Sequence, residues 1–253
     1  MTACSTATST PSYTPTSRGS PLSRLLLFLV TGTLALVAGA FIFLPAIVEG
    51  FVARDLQDRL GLDTPPGVDL RAGPAEMLAG NFGGGRVTLP GYDPGGVRPE
   101  EVAIDLSPFD VDVLGSVAGG RLAYERAPSG TLRTTLSEAE VGRIAASEVV
   151  DFPVRGVELE SGLALAHTEF YALGQSVPVA VEGGVSAWEN ALIFEPSNIE
   201  AAGVPVPNGL AAQLLGSLDF VYPITGLPPG IQITGAEVER DRLILTGPVE
   251  LGL

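Results

Sequence analysis

The chain has no lysine, a single histidine and a single cysteine among its 253 residues, and each shortage narrows the functions open to it. One histidine, His167, is too few for a His-rich metal site. One cysteine, Cys4, excludes an intramolecular disulfide, so packing must stabilise the fold. No G-x-S-x-G segment accompanies His167, which argues against a serine hydrolase. The glycine-rich segment 81–85 lacks both the lysine and the spacing of a phosphate-binding loop.

Acidic side chains in strand-like segments are weak candidates for a metal or catalytic site. They form the i,i+2 pairs Asp110/Asp112, Glu158/Glu160 and Glu237/Glu239. Residues two apart lie on one face of a strand, so a solvated face explains each pair. A calcium ion needs about six to eight oxygen ligands, and no loop signature surrounds the aspartates. His167 is interpreted as a half-buried strand residue, and a hydrolase built on His167 is one alternative function.

Acidic residues are absent from the first 48 positions, where the only charges are Arg18 and Arg24. All 29 acids and 12 of the 14 arginines follow, so the rest of the chain carries a net charge of −17. Nucleic-acid binding depends on Lys and Arg contacts to phosphate, so this balance argues against a nucleic-acid partner. It also argues against docking on anionic lipid through a basic patch. A charge far from zero mainly favours solubility.

The run Leu25–Val48 is uncharged and predicts an N-terminal transmembrane helix. Its 24 residues would form a helix of about 36 Å, enough to cross a bilayer core of about 30 Å. The flank before it is basic and the flank after it slightly acidic, which predicts a cytoplasmic N-terminus and an extracytoplasmic C-terminal domain at the cell membrane. A cleaved signal peptide is the alternative, because Ala38-Gly39-Ala40 has the form of a cleavage site. The apolar run continues past that site, which favours an uncleaved anchor.

Four regions follow from these patterns. They are a disordered cytoplasmic leader at 1–24, the anchor at 25–48, a juxtamembrane helix at 49–61 and an extracytoplasmic β-rich domain at 62–253. In that domain Leu136–Val149 reads as a helix, with Ser137 as N-cap and Glu140 completing a capping box. A second amphipathic helix is predicted at Gly209–Asp219. Alternating apolar residues elsewhere predict antiparallel strands, so the fold class is α+β, with two helices available to cover a strand meander.

Three stretches of the chain resemble the LmeA-type phospholipid-binding family of actinobacterial cell envelopes. They are Leu106-Ser107-Pro108-Phe109-Asp110-Val111-Asp112, then Thr135-Leu136-Ser137-Glu138-Ala139-Glu140-Val141, and finally Leu227-Pro228-Pro229-Gly230-Ile231 through Leu245-Thr246-Gly247. The resemblance covers roughly residues 50–253 and includes the anchor-then-domain layout. It implies a curved antiparallel sheet wrapped around amphipathic helices, as in tubular lipid-binding domains. It also implies an exported protein without catalytic residues or cofactor, which binds phospholipid and supports envelope glycolipid assembly such as mannan elongation.

Aliphatic residues on the predicted strands and helices are the candidates for lining a lipid site. They are Leu163, Leu165, Val179, Val181, Leu214, Leu215, Leu218, Ile231 and Ile233. Three arginines are candidates for a lipid head group: Arg121, Arg126 and Arg133. Hydrophobic periodicity does not separate an acyl-chain tunnel from an ordinary core. An envelope scaffold with a solid core and no lipid cargo therefore stays open as an alternative function.

Overall fold

The chain folds mostly into antiparallel β-sheet with few helices. The computed structural model describes residues 21–119, 122–146, 154–172, 175–207 and 220–251. Within these ranges, the side chains of residues 21–29, 36–38, 40, 95, 117, 170–172 and 220 are outside the description. The prediction of a β-rich antiparallel fold is confirmed.

Four helices and a 3₁₀ turn lie in the described ranges. The helices are α1 Pro21–Leu60, α2 Pro74–Ala79, α3 Val113–Gly119 and α4 Glu138–Ala145, and the 3₁₀ turn is Pro94–Gly96. Over the described residues, no helix is both long and apolar enough to cross a membrane. The anchor at Leu25–Val48 therefore stays a prediction from the sequence. The helix predicted at Gly209–Asp219 lies outside the described residues.

Fifteen strands are described, and they divide into three sheets rather than the single sheet expected. Sheet I has the order β1-β3-β4-β7-β15-β14, and sheet III has the order β2-β5-β6. Sheet II has the order β12-β11-β10-β9-β8, with β13 also paired to β11. The strands are β1 Gly67–Leu70, β2 Asn81–Phe82, β3 Gly85–Thr88, β4 Glu101–Leu106, β5 Phe109–Val111, β6 Tyr124–Arg126, β7 Ser129–Ser137, β8 Val154–Glu160, β9 Leu163–Ala172, β10 Gln175–Trp188, β11 Ala191–Ala201, β12 Val204–Pro205, β13 Phe220–Pro223, β14 Gly235–Glu239 and β15 Arg242–Glu250.

Sheet I separates an apolar face from a charged one, as its alternating sequences predict. Val102 pairs with Thr134, which pairs with Leu245, and all three side chains are buried. On the other face Arg86 Nε lies 3.1 Å from Asp105 Oδ1. This is an antiparallel sheet with one face on the core and one on solvent.

Sheet III is stabilised by aromatic packing, and its Tyr124 contacts the C-terminal end of α1. The rings of Phe82 and Phe109 stack with centroids 4.8 Å apart, and Tyr124 meets Phe109 edge-on at 6.2 Å. The Tyr124 hydroxyl donates to Asp55 Oδ2 at 2.9 Å, and the Arg59 guanidinium lies over the Tyr124 ring. Burial raises the pKa of Tyr124, so the phenol stays a donor to the carboxylate.

The main cluster is the largest group of buried apolar side chains, and the C-terminal part of α1 belongs to it. Val52, Leu56 and Leu60 recur at near-helical spacing and are all buried there. Sheet I supplies more of the other members than any other element, and Ile144 comes from α4. Sheet II supplies Leu159, Ala164, Ala187 and Leu192, and sheet III supplies Phe82, Phe109 and Val111. We call this set the main cluster throughout.

Helix α4 begins as predicted, but half of its capping box is absent. Ser137 is the N-cap, and its hydroxyl accepts a hydrogen bond from the Glu140 N–H at 3.3 Å. The Glu140 carboxylate, expected to accept from the Ser137 N–H, accepts instead from the Arg98 N–H at 2.7 Å. Ser137 is the last residue of β7 and pairs with Arg242 in the ladder, so the N-cap residue is already part of a sheet.

Candidate functional site

The inner face of sheet II carries a second group of buried apolar side chains, separate from the main cluster. It consists of Val179, Val181 and Ile199, which are 7%, 5% and 3% exposed, and we call it the distal cluster. Val181 pairs with Ile199 on β11 and with Ala166 on β9, so these side chains share one face. Phe194, Ala201 and Val206 are partly buried and pack against the cluster.

The two clusters lie along the same face of the same strand. Alternation along β10 places Val179, Val181, Gly183, Val185 and Ala187 on one side of the sheet. Val185 and Ala187 belong to or pack against the main cluster, whereas Val179 and Val181 form the distal one. Gly183 is therefore the point on β10 where one cluster gives way to the other.

The residues at that boundary have small side chains, which leaves room above the sheet for a neighbouring ring. Gly183 pairs with Ala164 on β9, and the next pair on this face is Val181 with Ala166. The Phe194 ring lies over Gly183: its Cε2 and Cζ atoms are each 2.7 Å from the position that a Cβ on residue 183 would take. Phe194 packs against both clusters, so its ring occupies the boundary between them.

The register places some of the predicted lining residues on the opposite face. Leu165 pairs with Glu158 on β8 and with Glu182 on β10. Leu163 is 37% exposed on the same face. Both leucines border a cavity of about 250 Å³ whose other walls are Glu160, Ala180, Glu182, Asn198 and Glu200. The structure thus brings Val179 and Val181 together but separates them from Leu163 and Leu165.

Ile231 and Ile233 lie in the main cluster rather than on sheet II. Both are buried and face a cavity of about 10 Å³, at the lower limit for one water molecule. Its walls include Tyr92, Val102, Leu132, Ile224, Leu227 and Leu245. The structure therefore places this pair in tightly packed core. Leu214, Leu215 and Leu218 lie outside the described residues.

The predicted head-group arginines that the structure describes are already paired with carboxylates. Arg126 Nη2 lies 3.3 Å from Asp110 Oδ2, and Arg133 Nη2 lies 3.7 Å from Glu239 Oε1. The first ion pair joins the neighbouring strands β6 and β5, and the second reaches across β15 from β7 to β14. Arg121 lies outside the described residues.

His167 has an acid nearby but no assembled catalytic group among the described residues. Its Nε2 atom lies 3.3 Å from Glu158 Oε1, without the angles of a hydrogen bond. The cavity beside it, of about 220 Å³, is also lined by Glu169. Ser176 donates its hydroxyl to Glu169 Oε2 at 2.6 Å, so this serine is directed at a carboxylate. In the described ranges no group of three or more His, Cys, Asp or Glu residues is placed to hold a metal ion.

The residues with shifted pKa values make hydrogen bonds that stabilise the fold. Hydrogen bonds from Arg143 lower the pKa of Glu140, and the Arg143 Nε donates to Glu140 Oε2 at 2.9 Å. Burial raises the pKa of Tyr92 to about 12, and its hydroxyl donates to the Gly226 carbonyl at 3.2 Å. Neither residue lines the distal cluster. The chemistry of that cluster is therefore apolar.

The described chain is thus an antiparallel β-sheet protein with a small apolar cluster on sheet II outside its main cluster. The chain belongs to the LmeA-like phospholipid-binding family, whose family model matches residues 40–248. The resemblance drawn from the three sequence stretches is thereby confirmed. No curated protein and no solved structure matches the chain significantly.

Ile199, Gly183 and Phe194 lie in or beside the distal cluster but were not among the sequence-predicted lining residues. Ile199 follows Ser197 and Asn198 in a polar stretch of β11, where alternation is weak. The pairing of β10 with β11 also shifts between Glu182 and Gly183. Such a bulge changes which residues face inward, and no local pattern marks it.

Proposed function

We propose that this protein binds a phospholipid, with an acyl chain held against the distal cluster of sheet II. The observation that carries the proposal is membership of a phospholipid-binding family over most of the chain. The distal cluster supports it, because it is an apolar group buried outside the main cluster and presents only methyl and methylene groups. This function needs no catalytic residue and no cofactor.

Burial of the acyl chain supplies the affinity. Each CH₂ group removed from water contributes about 0.8 kcal/mol, so a partly enclosed chain binds without specific polar contacts. Val179, Val181 and Ile199 present only methyl and methylene groups. The opposite face of sheet II, with Glu158, Glu182 and other acids, is unsuited to an acyl chain.

The wider setting proposed for this binding is the cell envelope. The uncharged run Leu25–Val48 and its basic leader support a membrane-anchored protein with an extracytoplasmic domain. The family resemblance supports a role in envelope glycolipid assembly, in which the protein holds or shuttles the lipid. This setting rests on sequence pattern and family, and the binding itself is tested separately.

Native mass spectrometry of the full-length protein from a lipid-containing host tests the binding. The full chain is required because Val52, Leu56 and Leu60 of α1 are part of the main cluster. A reproducible adduct of phospholipid mass is expected. The double variant Val179→Thr/Val181→Thr should reduce bound lipid about tenfold, because two buried methyl groups become hydroxyls.

The matched control is Leu163→Thr/Leu165→Thr on the opposite face, which should leave the adduct unchanged. Circular dichroism and a thermal melt establish that each variant is folded. A wild-type protein that stays unliganded when phospholipid vesicles are supplied would contradict lipid binding and favour the scaffold alternative. Equal loss in both double variants would place the lipid elsewhere.

A further inference from the structure

We infer that Phe194 sets the depth to which the acyl chain extends along sheet II, and so determines acyl-chain length preference. This inference rests on the proposed function, and it identifies the Phe194 ring as the group that limits how far the acyl chain extends. Three observations support it: the contact of the Phe194 ring with Gly183, its position between the two clusters, and the bulge beside it.

The Phe194 ring takes the space that a side chain at position 183 would need. Phe194 pairs directly with Val185, so its ring leans along the sheet to reach Gly183. A Cβ at residue 183 would meet the ring at 2.7 Å and the Glu195 carbonyl oxygen at 2.6 Å. Glycine is thus required here by close approach, and the aromatic ring covers the gap that it leaves.

The Phe194 ring lies between two groups of buried apolar side chains on β10 and β11. On one side are Ala187 and Leu192, buried members of the main cluster. On the other are Val181 and its pairing partners Ala166 and Ile199. An acyl chain lying along β10 and β11 from the distal cluster therefore meets the ring before it meets Ala187 and Leu192.

The backbone also changes at this point. The β10–β11 register shifts between Glu182 and Gly183, and Pro196 stands opposite Gly183. A bulge bends the strand and increases its twist. The bend and the Phe194 ring therefore lie at the same level of the sheet. In this proposal the acyl-chain site ends at that level. Removing the ring opens the space up to Val185, two residues or about 6.6 Å further along β10.

A competition between phospholipids tests the inference. The detergent-purified full chain is incubated with an equimolar mixture of dilauroyl, dimyristoyl, dipalmitoyl and distearoyl phosphatidylcholine, and bound species are counted by native mass spectrometry. Phe194→Ala should shift the bound population toward longer chains, by about tenfold in the ratio of longest to shortest. Phe194→Trp should shift it toward shorter chains.

The matched control is Trp188→Ala, an aromatic truncation on the same strand pair but on the other face, where Trp188 is 67% exposed. It should leave the chain-length profile unchanged. Should Phe194→Ala fail to fold, Phe194→Leu gives the decisive profile, because it keeps an apolar side chain while removing the ring. Folded Phe194 variants that bind lipid with the wild-type chain-length profile would contradict the role of Phe194 in length preference but not the proposal of lipid binding. A wild-type protein that binds none of the four lipids overturns both.

Discussion

The main and distal clusters are both apolar and both use sheet II, yet they are built differently. Leu136 and Leu243 of the main cluster are fully buried, and sheets I and II, α1 and α4 all contribute to it. The distal cluster has three buried residues from two neighbouring strands. Interior packing of many elements stabilises a fold, whereas the small apolar group on sheet II is the one that we propose contacts a ligand. The comparison separates residues that hold the protein together from residues proposed to hold its cargo.

The largest effect is expected from truncating the main cluster. Leu243→Ala should reduce the free energy of unfolding by about 3–4 kcal/mol, because the side chain is 0% exposed and leaves a cavity. Urea titration measures the loss. The protein that remains folded should bind phospholipid with unchanged chain-length preference. A change in that preference would mean that the two clusters are coupled and the comparison fails.

A lipid-dependent stabilisation should depend on the distal cluster. At a lipid concentration of about 100 times Kd, the wild-type protein should gain about 2.7 kcal/mol in unfolding free energy. Ile199→Thr should lose most of that gain, because it puts a hydroxyl into the distal cluster. Thermal melts with and without phospholipid measure the difference. An Ile199→Thr variant that is stabilised as strongly as wild type would exclude Ile199 from the site.

Glu140 fastens α4 to the Arg98 backbone beside the main cluster, so its loss should affect stability alone. Glu140→Ala should cost about 2 kcal/mol, since the Arg98 N–H loses its acceptor and Arg143 its partner. The lowered pKa of Glu140 means that its contribution is present above the usual glutamate pKa of about 4.3 and is lost as pH falls below it.

Urea titrations from neutral to acidic pH measure both effects. Glu140→Gln keeps an acceptor oxygen but cannot titrate, so it should lack this part of the acid-induced loss. Identical pH dependence in the wild type and Glu140→Gln would show that Glu140 contributes nothing to acid stability.

The smallest effect concerns Tyr92, which borders the cavity beside Ile231. Its pKa of about 12 lies above the usual tyrosine value of about 10, so folding favours the neutral phenol. Its contribution is complete below pH 10 and is lost as pH rises toward 12. Relative to Tyr92→Phe, the wild type should lose about 1 kcal/mol over this range, because the group is partly screened by solvent. Parallel slopes for both proteins in alkaline unfolding titrations would contradict this assignment.

Local patterns predicted individual elements better than their assembly. The Ser137 N-cap and the start of α4 were predictable, because an N-cap and an apolar stripe are features of adjacent residues. The division of the strands into three sheets was not, since it depends on pairings such as Leu132 of β7 with Gly247 of β15.

The candidate site shows the same limit more sharply. Alternation correctly places Val179 with Val181 and Leu163 with Leu165. It does not show that Leu165 pairs with Glu182, which assigns the two leucines to the other face. Phe194 was missed because the role proposed for it depends on a bulge and on its contact with Gly183 on another strand. Strand register and contacts between distant residues determine which side chains share a face. Neither can be predicted from a short segment of sequence.

The participation of α1 in the main cluster has a consequence for maturation. Its first buried member, Val52, lies 12 residues after Ala40, the last residue of the alternative cleavage site. Cutting at that site would therefore leave every buried residue of the described core on the same polypeptide, and the retained and the released form would share one folded domain. Cutting between Leu60 and Gly61 would remove three core residues at once. Cleavage at the first position is therefore expected to leave the domain folded, and cleavage at the second to destabilise it.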